Sequence, residues 1–476
     1  MTLKQAQLRG NPLQQYRSFR RNPIQFLQST QSLGDLVQIP SMTGRASYIL
    51  HHPELVKAVL ALDEDKVVKG QSAKILGYTL GKGLLTSEGE EHARQRRQLQ
   101  PAFHRDMLAN AADEIVRLAE ERVTSWQSGE WFSISNELLD LTLDVVFHTL
   151  FGAHVGSQRA LLHLVVEESV DFSAKKLLNA FPAPFWLPTP ANLAHRQTLR
   201  RFDAIIANLM QSTRPHSMDT EGRTRNDDSD SNLRFDGLLS PKSTVLNFLY
   251  DVRSESGEPL SPVEIRNQLA TLIIGGHETT ANLLTWVIYE LAQHPDVFSK
   301  AAAEVATVLQ GHRPSFEDVR RLPFLRQILR ETMRMYPPAW TILRESIAPL
   351  EVENILIPPQ SSLIISPYVL HRNPEYFPHP ESFSPARFDH HAPHTWPQFA
   401  YIPFGGGSRT CIGNTFAQME ATLILAILLQ QDVSWVTRPN KAPQPEPSVS
   451  LRVKGGLEIR LLRRSNPSTN PSTNPT

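Results

Sequence analysis

FGGGSRTCIGN, residues 404–414, holds the single cysteine of a 476-residue chain, Cys411, among four glycines and an arginine. Glycines ahead of the cysteine open backbone conformations closed to other residues and permit close approach to a flat partner. The run that follows, FAQMEATLILAILLQ (416–430), is strongly apolar and reads as a helix. A helix beginning near Cys411 aims its N-terminal amides and the positive end of its dipole at the sulfur, which favours a thiolate. Arg409 lies two residues earlier, on the same side of an extended backbone, where it can pair with an anion beside the sulfur.

Cys411 then has three readings: a small buried hydrophobe, a nucleophile, or a metal ligand. A nucleophile needs a positioned base, and no cysteine-protease signature surrounds this residue. One cysteine cannot build an all-cysteine zinc or iron–sulfur cage, but it can be the single axial ligand of a haem.

Composition narrows the setting. Lys+Arg and Asp+Glu both total 48, so the formal charge is zero and bulk electrostatics favour no nucleic-acid partner. A lone cysteine excludes an internal disulfide framework and fits a reducing compartment. The opening MTLKQAQLRGNPLQQYRSFRRNPIQF carries no apolar core of a signal peptide and no spanning segment. The expectation is a cytoplasmic protein without a transmembrane anchor.

Along the chain, 37–59 reads as short strands and 87–209 mostly as helices. FPAPFWLPTP (181–190) breaks the pattern with four prolines and forms a loop with an apolar surface, a packed loop or a channel mouth or membrane-contacting lip. Residues 211–244 are polar and poor in aliphatics and read as a disordered insertion. The 465–476 tail is low-complexity. One domain over 1–464 is expected. Ser261-Pro262-Val263-Glu264 is a capping box with proline at the first helical position, and the apolar pattern runs to Gln293 before His294-Pro295. Gly275-Gly276 sits inside this helix at a cost of about 1 kcal/mol per glycine. Close approach of something large, or a local distortion, would explain it. LPFLRQILRETMRMYPP reads as a further helix, 351–370 as strands, and NPEYFPHPESFSPARF as an extended run.

FGGGSRTCIG resembles the F-x-x-G-x-R-x-C-x-G signature of the cytochromes P-450, with Phe404, Gly407, Arg409, Cys411 and Gly413 at its fixed positions. Three further stretches join it. Glu331-Thr332-Met333-Arg334 resembles the family's E-x-x-R. PARF (385–388) resembles its P-x-R-F, so that Glu331, Arg334 and Arg387 would form an ion network behind the haem. GGHETT (275–280) resembles the distal signature, with glycine where alanine is frequent. EHARQRR (91–97) places His92 and Arg96 on one helix face, as in the family's histidine version of its propionate-binding helix.

The resemblance implies a mainly α P-450 fold with a small β-rich region near the N-terminus. Haem b would lie between the long helix and the one after the cysteine loop. Cys411 would be the iron's axial ligand, and thiolate ligation favours O–O cleavage. His92, Arg96, Arg344 and Arg409 would bind haem, with Phe404 and Gly413 in the haem-binding loop. Thr279 and Glu278 would relay protons. The implied reaction inserts one oxygen atom from O2 into a lipophilic molecule of the fatty-acid or terpenoid class. Ile75, Leu76, Phe172, Leu272, Trp340 and Ile342 would line its pocket. Electrons would come from a separate ferredoxin and its reductase, and no oligomer is required. Two rivals stay open: a haem-thiolate isomerase or dehydratase, and a non-enzymatic haem sensor or carrier.

Overall fold

A computed structural model describes residues 2–40, 44–61, 66–179, 181–213, 244–253, 257–389, 396–439 and 442–463. Helices α1 (Pro12–Arg21), α2 (Pro23–Gln31), α3 (Pro53–Ala61) and α4 (Gln71–Leu80) open the chain. α5 (Gly89–Leu99), α6 (Arg105–Thr124), α7 (Ile134–Val145), α8 (Arg159–Leu177) and α9 (Pro190–Thr213) complete its first half. α10 (Val245–Asp251), α11 (Pro262–Gln293), α12 (Pro295–Leu309), α13 (Pro323–Met335), α14 (Pro367–Leu370) and α15 (Asn414–Gln430) follow.

α11 has the boundaries that its capping box and His294-Pro295 predict. Ser261 Oγ accepts from Glu264 N–H, and the Glu264 carboxylate accepts from Ser261 N–H in return. Ile265, Leu269, Ile273, Leu284, Val287 and Leu291 bury it in the largest apolar cluster of the molecule, packed against α7, α13 and α15.

Strands β1 (Gln5–Gln7), β2 (Leu36–Ile39), β3 (Ser47–Leu50), β4 (Val67–Val68), β6 (Ile342–Ser346) and β9 (Ser362–Ile365) form one sheet, ordered β1-β2-β3-β9-β6-β4. The β-rich region near the N-terminus is therefore completed from the second half of the chain: Ser47 pairs with Ser362 in parallel register. β5 (Trp131–Ser133), β10 (Val433–Thr437) and β13 (Glu458–Arg463) form a second sheet. β7 (Leu350–Val352) pairs with β8 (Ile355–Ile357), and β11 (Pro445–Pro447) with β12 (Leu451–Val453), as two hairpins.

Several expectations change. Residues 53–61 are helix α3, not strand: Pro53 starts it, and Leu55, Val56, Val59 and Leu60 have helical spacing. β5 went unread because it is three residues long, and β6 because its Arg344-Glu345-Ser346 end carries no apolar alternation. PARF is one tight helical turn within the proline-rich run. α11 stays an unbroken α-helix through Gly275-Gly276. Of the 211–244 insertion, 214–243 lie outside the described residues. Its margins are ordered, since 211–213 close α9 and Thr244 caps α10 by accepting from Asn247 N–H. The 465–476 tail also lies outside the described residues.

α15 carries one group at odds with its apolar surroundings. The Glu420 carboxyl is fully buried and makes no hydrogen bond of good geometry among the described residues. Burial pushes its pKa up to about 8, tempered by the Thr280 hydroxyl nearby. A raised carboxyl pKa means a stability contribution that is whole below the unfolded value near about 4.5 and lost as pH rises towards 8. Glu420→Gln should therefore gain on the parent between those limits, by up to about 1.4 kcal/mol per pH unit, and hold a constant advantage above. Urea denaturation of both proteins across that range checks this, and parallel stability curves would refute it.

Candidate active site

The cysteine loop is closed by its own backbone. Cys411 N–H donates to the Phe404 carbonyl at 3.0 Å, and Thr410 N–H to that of Gly407 at 3.1 Å. Two of the glycines are required by protein at the back of the loop. Gly407 has φ +67°, and a Cβ there would sit 1.7 Å from the Leu60 carbonyl oxygen at the end of α3. A Cβ on Gly406 would lie 2.6 Å from the Phe399 ring. The loop is thus pressed onto protein at its back, while Cys411 itself stays accessible.

α15 begins at Asn414 with Gly413 as its cap, and Gly413 N–H is directed at the sulfur. Protein atoms nonetheless crowd closely around the thiol, and burial pushes it above its ordinary value. The Gly413 N–H and the Arg96 charge pull the other way without prevailing. The helix terminus alone does not make the thiolate, as its sequence position suggests; a coordinating metal ion deprotonates a thiol outright.

Behind the loop, Arg334 meets Glu331 bidentately, Nε to Oε2 at 2.8 Å and Nη2 to Oε1 at 2.9 Å, and neither side chain is exposed at all. Arg387 adds a longer contact to Glu331 at 3.5 Å, and Ser384 N–H donates to Oε1 at 2.9 Å. The pair reaches the loop through a residue that no motif flags. Arg334 Nη1 donates to the His371 carbonyl at 3.0 Å, and His371 Nε2 accepts from Ile402 N–H at 2.8 Å, two residues before Phe404. Burial, reinforced by Arg334 and Arg372, lowers the His371 pKa to about 3, so the imidazole is neutral and can accept.

The predicted propionate-binding residues lie on three elements. Arg96 on α5 donates to the Thr410 carbonyl at 2.7 Å, next to the cysteine. His92, one turn earlier, is buried. Arg409 donates to the Ser87 carbonyl at 2.6 Å and pairs with Glu88 at 2.7 Å. A carboxylate of the protein itself, at the start of α5, thus pairs with it. Arg344 lies on β6, donating to the Leu343 carbonyl at 2.9 Å. α5 is fixed to α11 by Arg94–Glu264 at 3.0 Å and by the buried Gln268–Gln95 hydrogen bond at 3.0 Å.

On α11, Thr279 Oγ1 donates to the Gly275 carbonyl at 2.9 Å. Glu278 turns aside: its Oε1 accepts from Ser450 Oγ at 2.7 Å, just before β12. The paired glycines have separate reasons. A Cβ on Gly276 would stand 3.0 Å from Val146, where 146–151 form a π-helical turn, whereas a Cβ on Gly275 would meet nothing within 4 Å.

α4, α8 and α9 pack together with the N-terminal half of α11. Their contact is aromatic: Phe172 stacks on His195 at 3.7 Å and Tyr78 on Phe185 at 4.6 Å. Burial lowers the His195 pKa to about 4 and keeps the ring neutral. Ile75 and Phe172 are buried, and Leu76 and Leu272 half-buried. Trp340 departs from its expected place, since it is enclosed with Ile24, Leu27, Ile49 and Leu451 and donates to the Ser448 carbonyl.

These residues fit a haem. They supply one accessible sulfur, a cation beside it, further cations on α5 and β6, and a mid-helix glycine facing open space. The cytochrome P450 family model matches residues 4–456. Cyclooctatin synthase of Streptomyces melanosporofaciens is 35% identical over 90% of this chain and 89% of its own length. Cyclooctat-9-en-7-ol 5-monooxygenase of the same organism is 33% identical over 88% and 86%, respectively. Pentalenene oxygenase of Streptomyces avermitilis is 30% identical over 94% of each. The chain belongs to the cytochrome P450 family of haem-iron monooxygenases. Among the described residues no helix is long and apolar enough to cross a membrane.

Removing Arg334 would leave the Glu331 charge buried without its partner, a loss of about 3–5 kcal/mol. Arg334→Ala should give largely insoluble or haem-free protein. Arg334→Lys should rescue little, because an ammonium cannot reproduce the fork that bonds Glu331 and the His371 carbonyl together. Haem content per protein after purification reads both out, and parental content in Arg334→Ala would contradict the account.

Proposed function

We propose that the chain is a monooxygenase of terpenoid-class molecules, with Cys411 as the haem ligand and a separate ferredoxin and reductase as electron source. The observation that carries the reading is the accessible Cys411, held by a loop whose back is locked to Glu331–Arg334. Three relatives bear names of oxygenases or synthases of cyclooctatin, cyclooctat-9-en-7-ol and pentalenene. Two of these names spell an alkene skeleton, one of them carrying a single alcohol. That suits the apolar and aromatic surfaces of Ile75, Phe172 and Leu272 better than a charged chain end would. Haem bound through the sulfur supplies oxygen activation and transfer of one oxygen atom to carbon.

The chain's own residues do the rest. Arg96, Arg344 and Arg409 are the cations, and His92 a hydrogen-bond donor, available to the haem propionates, since isolated buried charges are costly. Arg409 reaches them only in exchange with, or alongside, Glu88. The Thr279 hydroxyl, bonded at rest to the Gly275 carbonyl, turns to pass its proton to the site, and Glu278 replenishes it. The stacked Phe172, His195, Tyr78 and Phe185 exclude water on the side of α4, α8 and α9.

Thr279→Ala should bind haem normally and consume reductant at a near-parental rate, while product per reductant falls several-fold and released hydrogen peroxide rises. Unchanged coupling would remove Thr279 from the proton path. Cyclic terpene alcohols and hydrocarbons should produce a spin-state shift in the visible spectrum that fatty acids of equal carbon number do not. The reverse preference would overturn the substrate class.

A further inference from the structure

The β11–β12 hairpin, near the C-terminus, belongs to none of the family signatures, yet it supplies the partner of the acid on α11. Ser450 Oγ donates to Glu278 Oε1 at 2.7 Å, and Asn282 Nδ2 donates to the same Ser450 oxygen at 2.9 Å. Asn282 lies four residues after Glu278, one turn along the same face of α11. All three side chains are buried. The Asn282 amide N–H can only donate and the carboxylate can only accept, so the Ser450 hydroxyl accepts from the one and directs its single proton at the other.

The hairpin is held from two sides. Leu451 N–H donates to the Pro338 carbonyl at 2.9 Å, and Trp340 Nε1 to that of Ser448 at 2.8 Å. Arg452 Nη2 reaches Asp171 on α8 at 2.6 Å. A serine on a mobile loop could not fix a carboxylate; this one sits between two anchors.

We propose that Ser450 is the positioning residue of the Glu278 carboxylate, that Asn282 orients Ser450 for that role, and that the Arg452–Asp171 tie holds the hairpin in place. The inference rests on the reading of Glu278 as the acid that replenishes Thr279. A glutamate that gives and retakes a proton must keep one oxygen in place through the cycle. Free in a cavity, its side chain would sample several rotamers. Bonded through Oε1 to a directed donor, it is confined. The charged groups around it are Arg452, whose positive charge acts together with Glu278, and the two carboxylates that share Arg452, Asp171 and Glu446. His277, next on α11, is buried and kept neutral, with its pKa lowered to about 4. Loss of the Ser450 hydroxyl removes one donor to the carboxylate and leaves the other charges in place.

The test uses the full-length haem-loaded protein. The carboxyl absorption of Glu278 is isolated as the infrared difference between the parent and Glu278→Gln and followed through a pH titration. Ser450→Ala should move its midpoint up by about one pH unit, and Ser450→Thr should restore it. Asn282→Leu, the second variant should Ser450→Ala fail to fold, should move it the same way by less. In parallel, reductant consumption in oxygenated buffer without added substrate should fall severalfold in Ser450→Ala and recover in Ser450→Thr. A midpoint in Ser450→Ala and Asn282→Leu equal to the parent's would overturn the proposal. If Glu278→Gln consumes reductant and forms peroxide as the parent does, the acid's role fails instead. The infrared midpoint still decides whether Ser450 holds it.

Discussion

The buried pair Glu331–Arg334 is the contact on which the rest of the site depends. Two charges out of water are costly, and only complete bonding repays that cost. Here the guanidinium satisfies Glu331 with two hydrogen bonds and spends its remaining donors on the His371, Pro380 and Ser382 carbonyls. A charge that must be satisfied by specific carbonyls dictates where those carbonyls lie. The 371–388 segment is therefore pinned to α13, and through His371 and Ile402 the pinning extends to the cysteine loop. Arg330 reinforces the same wall, stacking on Phe388 at 4.5 Å while its carbonyl accepts from Tyr401.

The site is assembled from pieces far apart in the chain. The cysteine comes from residue 411, the cation beside it from α5, and the acid from α11. The hydroxyl bonded to the Glu278 carboxylate comes from a hairpin 172 residues further on. What makes this possible is α11: its length lets one helix meet α4 and α9 near one end and α13 and α15 further along. Residues on it need only the right face to reach any layer.

Local rules were enough for some of this and not for the rest. The ends of α11 were legible because a capping box and a His-Pro stop are local chemistry. The Glu331–Arg334–Arg387 ion network was legible through motif spacing. The purposes of the glycines were not: Gly407 answers to Leu60 and Gly276 to Val146, and neither contact exists in sequence. α3 was misread because strand character in SYIL carried the reading past Pro53, which starts a helix equally well. His371 and Ser450 left no sequence signal, since one is a histidine in a turn and the other a serine in a polar run. Their roles appear only when a backbone amide and a carboxylate, distant in sequence, arrive beside them.

The most direct measurement of the central claim is the visible spectrum of the purified, reduced protein under carbon monoxide, with Cys411→His beside it. A thiolate from the locked loop should give the parent a strongly red-shifted Soret band and the histidine variant the shorter-wavelength band of an imidazole-ligated haem. A parent spectrum matching the variant's would mean that Cys411 does not ligate iron, and the account of the site would fall with it.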